Sequence, residues 1–548
     1  MYRGHDLSAF ERELRQLLSD PHGDMFWMLP MTLIHFVGKD HLTAELKELM
    51  RTGWSSYTPY RGDTENHWLM YYASMYLMSQ EFPAGDAHEW FNGRSSSENH
   101  REAEEYLNHW FRTVIASGLN EFDSPHYLPF YLAPLSLLYG FSTDQRMVHN
   151  ARSLLDLLIA DFAADTLNGV YVGAHSRIYP EPLLERWRNG STSFSWLLFG
   201  NTDFQPDNIN IVLDRIGYRP HGAAVYLALS GYSPDRILHA IATDRSAEFT
   251  HRERKRTRTR IRRHLPRRKD VYKTVFMHPW YALGSIDGDL VQPVQQHSWE
   301  LHWVSTTEDR GHNILFCLHP YWSEDEMATF FPEEPELLAD RVLNEKKPTY
   351  TSEDKWTGGS PYQRIAQHED ALIVLFDIPA GTTHPHIDAY FSRNLEHVTE
   401  DPSGWIVARG GNVFVGYYPL CPYEWIAEQG GDRRLRSSEL RNGAVVQVAS
   451  IDEVESLEAF LNLLRLRVPE FDVSEHIQVR YETLRGRDVQ FAYGMDLIVD
   501  GDTIARADHP VYDGPFINAD EEGRITLSGG GETRELSFDF GEARPEEG

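Results

Sequence analysis

The sequence predicts a mixed α+β protein in which an N-terminal (α/α) toroid is followed by a C-terminal antiparallel β-sandwich. From Phe10 to about Leu229 apolar residues recur at intervals of three and four, which is the period of amphipathic helices. After Val271 the period becomes two, which is typical of β-strands. The chain of 548 residues is also longer than one hydrophobic core usually holds, so we expect two domains.

The first predicted domain, residues 1–250, consists of helices separated by Gly, Pro and Asp breaks. Antiparallel helix pairs around an axis fit best, because no fixed-period self-similarity indicates a superhelical repeat array. The run from Trp68 to Leu77 is apolar and aromatic with few β-branched residues, which predicts a buried helix. The apolar helical segments are 14–18, 68–77, 103–115, 127–141, 148–162, 194–198 and 223–229.

Residues 251–270 are predicted to be a basic linker between the domains. Eleven of the nineteen residues 251–269 are Arg or Lys, inside an otherwise acidic chain. The simpler interpretation is a solvated linker or a β-edge that pairs with the acidic surface. The alternative is a basic rim that attracts a polyanionic glycan.

The second predicted domain, residues 271–528, contains short apolar strands separated by Gly, Asp and Pro turns, as in a sandwich or stacked sheets. One helix is expected at 456–466, and a polar tail at 529–548. The expected strands are 271–277, 301–304, 313–318, 371–376, 412–418, 444–448 and 489–493.

The charge of the chain excludes some partners. The formal net charge is −30, and only eight of the 52 basic residues are lysines. Such a charge repels nucleic acid and anionic membranes, so we expect neither as a partner. No run of 18 apolar residues predicts a membrane span.

The compartment and the oligomeric state are left open by the sequence. The start of the chain lacks the apolar region of a signal peptide. The protein is therefore expected to be cytoplasmic, or periplasmic or secreted if an export signal was removed. Cys317 and Cys421 belong to no metal-binding pattern, and a disulfide between them cannot be inferred from sequence.

Four clusters combine His, Tyr, Arg, Asn and acidic residues in loops or at helix starts: 64–67, 120–127, 175–188 and 295–300. Loops rich in these groups resemble a carbohydrate site, and a cleft between two domains is a usual place for a ligand. The candidate catalytic residues are Asn66, Tyr127, His175, Arg177, Tyr179 and His297. The candidate substrate-binding residues are His67, Trp68, Glu121, His126, Arg186, Arg188 and Trp299.

β-Elimination from a uronic acid suits these residue types. The reaction needs a group that neutralises the carboxylate, a base that removes the C5 proton and an acid that protonates the departing O4. Asn66 suits the first role, and Tyr127 or Tyr179 suits the base or the acid. His175 or His297 is then the partner base.

Arg177 would lower a tyrosine pKa or hold the uronate in this scheme. The chemistry requires no metal or other cofactor, although a structural metal ion is left open.

The order of the helical part, the sheet part and an Asn-His pair near the start of a helix resembles the polysaccharide lyases of the heparinase and chondroitin, hyaluronate and alginate lyase superfamily. In that superfamily an Asn on an early toroid helix, a later Tyr and a His form the site. Asn66, Tyr127 and His297 match these by type and order. The resemblance implies an acidic polysaccharide or oligosaccharide as the substrate.

Two other functions remain open. A glycoside hydrolase on the same scaffold needs a pair of carboxylates, for which Glu65, Glu121 and Asp123 are candidates. Glu121 and Asp123 also suit structural roles at a turn and a helix start. The third interpretation is a non-catalytic glycan-binding protein whose Trp and Tyr residues stack on sugars.

Motifs for other chemistry give little support. His384, His386 and Asp388 are spaced like metal ligands on a strand, but Pro385 favours a loop and surface polar residues are the commoner explanation. No metal is therefore assigned. Walker, Rossmann, kinase and Gly-x-Ser-x-Gly patterns are absent from the sequence, which disfavours nucleotide-dependent and serine-hydrolase chemistry.

Overall fold

The computed structural model describes residues 8–21, 25–56, 64–83, 90–200, 223–256, 270–288, 294–306, 312–323, 348–506 and 509–541. Within these residues the protein is a mixed α+β structure with twelve helices and twenty-five strands, all paired antiparallel. The change from helices to strands falls near residue 249, close to where the hydrophobic period changes.

Eleven of the helices precede the first large sheet, and each apolar segment predicted to be helical lies on one of them or overlaps it. The helices are α1 (Ser8–Ser19), α2 (Met25–Gly38), α3 (Ala44–Ser56), α4 (Glu65–Glu81), α5 (Ser96–Ser117), α6 (Leu128–Phe141), α7 (Gln145–Ala164), α8 (Pro180–Leu184), α9 (Gly190–Phe199), α10 (Ala224–Leu229), α11 (Arg236–Thr243) and α12 (Leu457–Arg465).

Helix α4 is central among the first helices. It packs against α2, α5 and α6, and it is apolar on every side, so only a position with helices around it buries it fully. α5 begins with a capping box in which the Ser95 and Glu98 side chains bond each other's backbone N–H groups. Hydrogen bonds from Trp110 Nε1 and from the Asn120 N–H to Glu65 hold the N-terminal end of α4, which carries Asn66, beside the end of α5.

The strands are β1 (Thr166–Leu167), β2 (Val170–Tyr171), β3 (Phe249–Arg256), β4 (Asp270–Met277), β5 (Tyr281–Gly288), β6 (Trp299–Trp303), β7 (Ile314–Leu318), β8 (Gln363–His368), β9 (Ala371–Asp377), β10 (Ile387–Phe391), β11 (Glu396–Glu400), β12 (Ile406–Gly410), β13 (Val413–Pro419), β14 (Glu424–Ala427), β15 (Arg433–Ser437), β16 (Arg441–Ser450), β17 (Glu470–Asp472), β18 (Gln478–Glu482), β19 (Asp488–Ala492), β20 (Leu497–Val499), β21 (Asp502–Ile504), β22 (Tyr512–Asp513), β23 (Ile517–Ala519), β24 (Ile525–Gly529) and β25 (Glu532–Glu535). All seven predicted strands lie on observed strands, and the predicted helix at 456–466 is α12.

Two large sheets share one hydrophobic core. The first has nine strands in the order β14-β15-β10-β7-β6-β5-β4-β3-β22, and the second has six in the order β11-β12-β13-β16-β9-β8. Apolar side chains of both, such as Trp303 and Val446, belong to the same buried cluster. A five-stranded sheet, β17 to β21, and helix α12 cover the other face of the second sheet.

The start of the predicted basic linker is part of the first sheet. Residues 251–256 lie in β3, which pairs with β4 on one side and β22 on the other. His251, Glu253 and Lys255 alternate along one face of this strand, and all three are buried. Residues 257–269 lie outside the described residues, so the linker stays a prediction there.

The end of the chain returns to the helical part. Strands β23, β24 and β25 form a small sheet, and its Ile517, Ile525 and Leu527 belong to the same apolar cluster as the helices. Residues 532–535 of the predicted polar tail are therefore a paired strand, and residues 542–548 lie outside the described residues. The domain boundaries themselves stay predictions.

None of the described helices has the length and apolar character that crossing a bilayer requires. Cys317 is buried and Cys421 is partly buried, and both thiols are free.

Candidate functional site

The candidate site lies where the helical part meets the first large sheet. An extended segment, residues 173–178, leaves the helices and pairs with residues 295–297 beside the sheet. His175 and His297 exchange two backbone hydrogen bonds of 2.8 Å, and the Ile178 N–H donates to the Gln295 carbonyl at 2.7 Å. This pairing brings together two of the four sequence clusters, 175–188 and 295–300.

Glycine permits the close approach of the segment to the sheet. Gly173 has a φ of 89° and lies against Gly284 of β5. A Cβ at Gly284 would stand 2.5 Å from the Gly173 Cα, a distance that a folded backbone does not tolerate. Only a residue without a side chain therefore fits at Gly284.

Glu121 is the centre of the site. Its carboxylate accepts from Asn66 Nδ2 at 2.6 Å, from the Tyr131 hydroxyl at 2.9 Å and from Arg177 Nη1 at 2.7 Å. Glu121 is 6% exposed, so these three donors replace the water that a carboxylate needs. The start of α4, the loop before α6 and the extended segment are thus joined at one carboxylate.

The Thr64 side chain orients the start of α4 instead of capping it. Thr64 is the N-cap residue, but its side chain makes no capping hydrogen bond. Its hydroxyl contacts Asn66 Oδ1 at 3.2 Å and His67 Nδ1 at 2.8 Å. Thr64, Asn66 and His67 of this sequence cluster therefore form one bonded unit.

Glu65 is held by structural partners. Its carboxylate accepts from Trp110 Nε1 at 2.9 Å and from the Asn120 N–H at 2.8 Å, and it pairs with Arg256 at the end of β3. The Tyr131 hydroxyl lies between Glu65 and Glu121, 3.3 Å from the first carboxylate and 2.9 Å from the second. The two acids are therefore joined by a buried phenol.

Tyr127 and Tyr179 form a hydrogen-bonded pair beside Arg177. Their hydroxyl oxygens are 2.7 Å apart, and the Arg177 guanidinium lies 4.0 Å from the centre of the Tyr127 ring. Burial raises the pKa of Tyr127 well above its usual range, and this outweighs the opposite effect of Arg177. Tyr127 therefore keeps its proton at neutral pH, although Arg177 acts on its pKa in the lowering direction that the sequence suggested.

Arg177 is permanently charged and only partly used by the protein. Burial acts against its charge, but Tyr127 and Glu121 outweigh it and raise its pKa. Nε donates to Gln295 Oε1 at 2.6 Å and Nη1 donates to Glu121. Among the described residues no hydrogen bond uses Nη2, and the side chain is 15% exposed. Arg177 can therefore still bind an anion.

Aromatic rings border this group. The His126 ring is half-buried and makes edge contacts with Tyr127 at 4.8 Å and with Tyr179 at 4.9 Å between ring centres. Phe26, which is 41% exposed, makes edge contacts with His67 and with Phe130. Aromatic and imidazole faces of this kind can stack on sugar rings.

His175 has no ring nitrogen with which to transfer a proton. The Asp123 carbonyl accepts from Nδ1 at 2.6 Å, and Arg186 Nη1 donates to Nε2 at 3.2 Å. A carbonyl only accepts and a guanidinium only donates, so the tautomer with hydrogen on Nδ1 is fixed. Burial, together with Arg186 and His297, lowers the pKa of His175 well below its usual range.

His297, Arg186 and Glu300 form the buried support behind this segment. Glu300 pairs with Arg186 and accepts from His297 Nε2 at 3.0 Å and from the Gly173 N–H at 3.0 Å. All three side chains are buried, and burial lowers the pKa of His297. The structure thus buries His175, His297 and Arg186 in this support.

The remaining predicted binding residues are placed apart from Arg177. Trp68 packs against Tyr72 and Tyr106 on the helices. Arg188 pairs with Glu185 one turn away. Trp299 is fully buried between the two large sheets. None of these three contacts Glu121 or Arg177 in the described part of the chain.

A buried network of acids and lysines lies beside the site. It contains the acids Asp123, Asp161, Asp165 and Glu253 and the cations Lys255 and Lys273. The four carboxylates are close enough together to resemble a metal site. Two ammonium groups already stand between them, so the arrangement is an ion-pair network that links the helices to β3 and β4.

The other candidates for metal binding are also occupied by protein groups. His384 and His386 bond the carbonyls of Thr351 and Glu353, and Asp388 pairs with Arg434. A further group, Glu248, His278 and Glu453, is crossed by Arg485, which pairs with both glutamates. No metal is assigned to any of these groups, and a structural ion stays an open prediction.

Three residues of the site were not candidates from the sequence. Tyr131 lies inside the apolar helix α6, where a phenol looks like an ordinary core residue. Gln295 links Arg177 to the Tyr350 hydroxyl, to which it donates at 2.7 Å. Glu300 lies in the fourth cluster but on a strand. Only the polar character of that cluster pointed toward Gln295 and Glu300.

Comparison with known proteins does not assign this chain to a family. The chain matches no protein-family model, and no curated protein is similar to it in sequence. Function therefore has to be inferred from the side chains of the site and not from kinship.

Proposed function

We propose that this protein is a polysaccharide lyase that cleaves a uronic-acid-containing glycan by β-elimination. In this proposal the helices before residue 249 form an (α/α) toroid, and the two large sheets form a β-sandwich. The substrate lies across the junction, against Arg177 and the tyrosine pair.

The observation that carries the proposal is the position of Arg177. A guanidinium with an unbonded Nη2 can bind a uronate carboxylate, and this neutralises the charge that otherwise keeps the C5 proton weakly acidic. The Tyr127–Tyr179 pair lies directly beside it. A carboxylate-binding cation next to a proton donor and a base is what β-elimination requires.

The proton transfers are assigned to groups at the cleft. His126, half-buried against both tyrosines, removes the C5 proton. The electron pair forms the C4=C5 double bond as the C4–O4 bond breaks. Tyr179 gives its proton to O4, and the proton that His126 has taken returns to Tyr179 through Tyr127. Asn66 and Glu121 hold Arg177 and the start of α4 in place.

The carboxylates support elimination more than hydrolysis. Inverting hydrolysis needs two acids on opposite sides of the bond, roughly 6.5–9.5 Å apart, with room for water. Glu65 and Glu121 instead share the Tyr131 hydroxyl, and Asp123 is paired with Lys273. None of the three acids faces another across an open space.

The test is the ultraviolet absorbance of the conjugated double bond. Alginate, hyaluronate, chondroitin sulfate and heparin are incubated with the protein and with Arg177→Lys, Tyr179→Phe and His126→Gln. Tyr139→Phe is the matched control, because Tyr139 is also a half-buried tyrosine but lies at the far end of α6. We expect absorbance with the wild type and with Tyr139→Phe, and a loss of at least about tenfold in the other three.

Other outcomes separate the alternatives. Reducing ends without the absorbance would mean hydrolysis and would contradict the proposal. Binding of the same glycans without either product, weakened in Arg177→Lys, would indicate a glycan-binding protein.

A further inference from the structure

The loop between α5 and α6, residues 118–127, is here called the site turn. It carries Glu121, His126 and Tyr127, so its shape decides where these side chains lie. The backbone reverses at Asp123, where φ is 48°. This left-handed conformation is uncommon for residues other than glycine, although Asp and Asn tolerate it best. A conformation of this kind persists only when its surroundings hold it.

The side chain of Asp123 is anchored outside the helices. The Tyr171 hydroxyl on β2 donates to Asp123 Oδ1 at 2.8 Å, and the Lys273 ammonium on β4 pairs with Oδ2. All three side chains are buried. A buried ion pair of this kind is rigid, because each charge is strongly destabilised if it loses the other.

The backbone around Asp123 is joined to the segment that carries Arg177. The Asp123 carbonyl accepts from His175 Nδ1 at 2.6 Å, and the Ser176 N–H donates to the Phe122 carbonyl at 3.3 Å. The Ser124 hydroxyl donates to the Arg177 carbonyl at 2.5 Å. The site turn and the Arg177 segment therefore form one unit.

We propose that Asp123 is a positioning residue, which locks the site turn to the first large sheet through Lys273 so that Glu121 and Tyr127 face Arg177. His175 takes part through the Asp123 carbonyl and carries no proton in the reaction. The sheet thus sets the geometry of groups that the helical part supplies. The effect on catalysis depends on the proposed function, but the effect on the site turn does not.

Asp165 provides a matched control. It pairs with the same Lys273 ammonium, it is equally buried, and it also bonds His251. It lies just after α7 as the C-cap residue of that helix, so its backbone is not part of the site turn, although its carboxylate lies beside that of Asp123. Asp123→Asn and Asp165→Asn each remove one carboxylate from Lys273 and keep an amide of the same shape. Only the first substitution acts on the site turn.

The experiment measures hydrogen exchange of the backbone amides in the full-length protein. We expect both variants to melt at lower temperature than the wild type. Only Asp123→Asn should speed exchange within residues 119–128 and at Ser176, by about tenfold or more, as for the loss of a buried charged hydrogen bond. Asp123→Gly, which keeps the left-handed backbone but has no anchor, should do the same.

Catalysis gives the second measurement. If the wild type catalyses β-elimination, kcat should fall in Asp123→Asn and Asp123→Gly with little change in KM. In Asp165→Asn, kcat and KM should both stay near the wild-type values. Equal exchange in the site turn of Asp123→Asn and Asp165→Asn, or unchanged exchange in both Asp123 variants, would overturn the inference. A wild type without elimination would overturn the proposed function alone, because the exchange comparison needs no activity.

If Asp123→Asn fails to fold, Asp123→Gly and the wild type still decide the question. The Ser176 amide of the wild type should then be protected to the same degree as the amides of β4. Faster exchange of Ser176 than of β4 would contradict the anchor.

Discussion

Replacing Lys355 by methionine should change how the stability of the protein depends on pH. Lys355 is 4% exposed, and within the described residues its ammonium contacts only the carbonyls of Tyr321 and Tyr350. No carboxylate of the described residues pairs with it. Burial lowers its pKa from 10.5 to about 7.

The sign follows from proton uptake on unfolding. Between about pH 7 and pH 10.5 the folded protein holds a neutral amine at Lys355, whereas the unfolded chain holds an ammonium. Unfolding therefore binds a proton, and Lys355 makes stability rise with pH by about 1.4 kcal/mol per pH unit. Below about pH 7 both states are protonated, and the cost of burying the charge is constant.

Urea unfolding of the wild type and Lys355→Met at several pH values measures this slope. From about pH 7.5 to 9.5 the stability of the wild type relative to Lys355→Met should rise by about 2.7 kcal/mol. Lys355→Arg is the control, since an arginine stays charged in both states and also removes the proton uptake. It should be less stable than Lys355→Met at every pH. Parallel curves for the wild type and Lys355→Met would refute the reasoning.

Four other predictions concern the site and its supports. Glu121→Gln removes the internal counter-ion of Arg177, so this variant should bind uronate oligosaccharides several-fold more tightly than the wild type, as measured by calorimetry. The variant should also melt at a lower temperature. Weaker binding would contradict the role of Arg177. His175→Asn keeps a donor for the Asp123 carbonyl, so it should cost about 1–3 kcal/mol of stability and leave the pH profile of elimination unchanged; loss of the acidic limb would make His175 the base instead. Arg186→Met leaves Glu300 buried without its cation and should lower the free energy of unfolding by about 3–5 kcal/mol. The double variant Arg186→Met/Glu300→Gln should recover part of this stability in thermal melts. Chelator or added Mg²⁺, Ca²⁺ or Zn²⁺ should shift the melting temperature by no more than about 1 °C, because lysines already neutralise the buried acids; a shift that grows with metal concentration would show a metal site.

The elements of secondary structure were largely predictable because they depend on local patterns. The apolar run after His67 could form only a buried helix, and it is part of α4. The seven predicted strands were also found, but other regular strands, such as β5, β10 and β18, were not predicted. Helix α2 was missed because Pro30 interrupts its pattern, although the helix continues through it.

The candidate site was predictable by residue type and less so by role. The sequence brought Asn66, Tyr127, Arg177 and Tyr179 into one group, and the structure joins all four through Glu121 or through the tyrosine pair. It also suggested His175 as a base. The role of a histidine depends on what bonds its two ring nitrogens, and for His175 those partners are a turn carbonyl and an arginine.

The sequence by itself determined the order of helices and strands and the chemical types near the junction, because both follow from short-range patterns of side chains. Tertiary structure alone decided which charges are buried together. Asp123 and Lys273 are 150 positions apart, and nothing in either neighbourhood indicates the other. Burial makes such a pair obligatory, since an unpaired charge away from water is very costly. That requirement arises only once the helices have packed against the sheet.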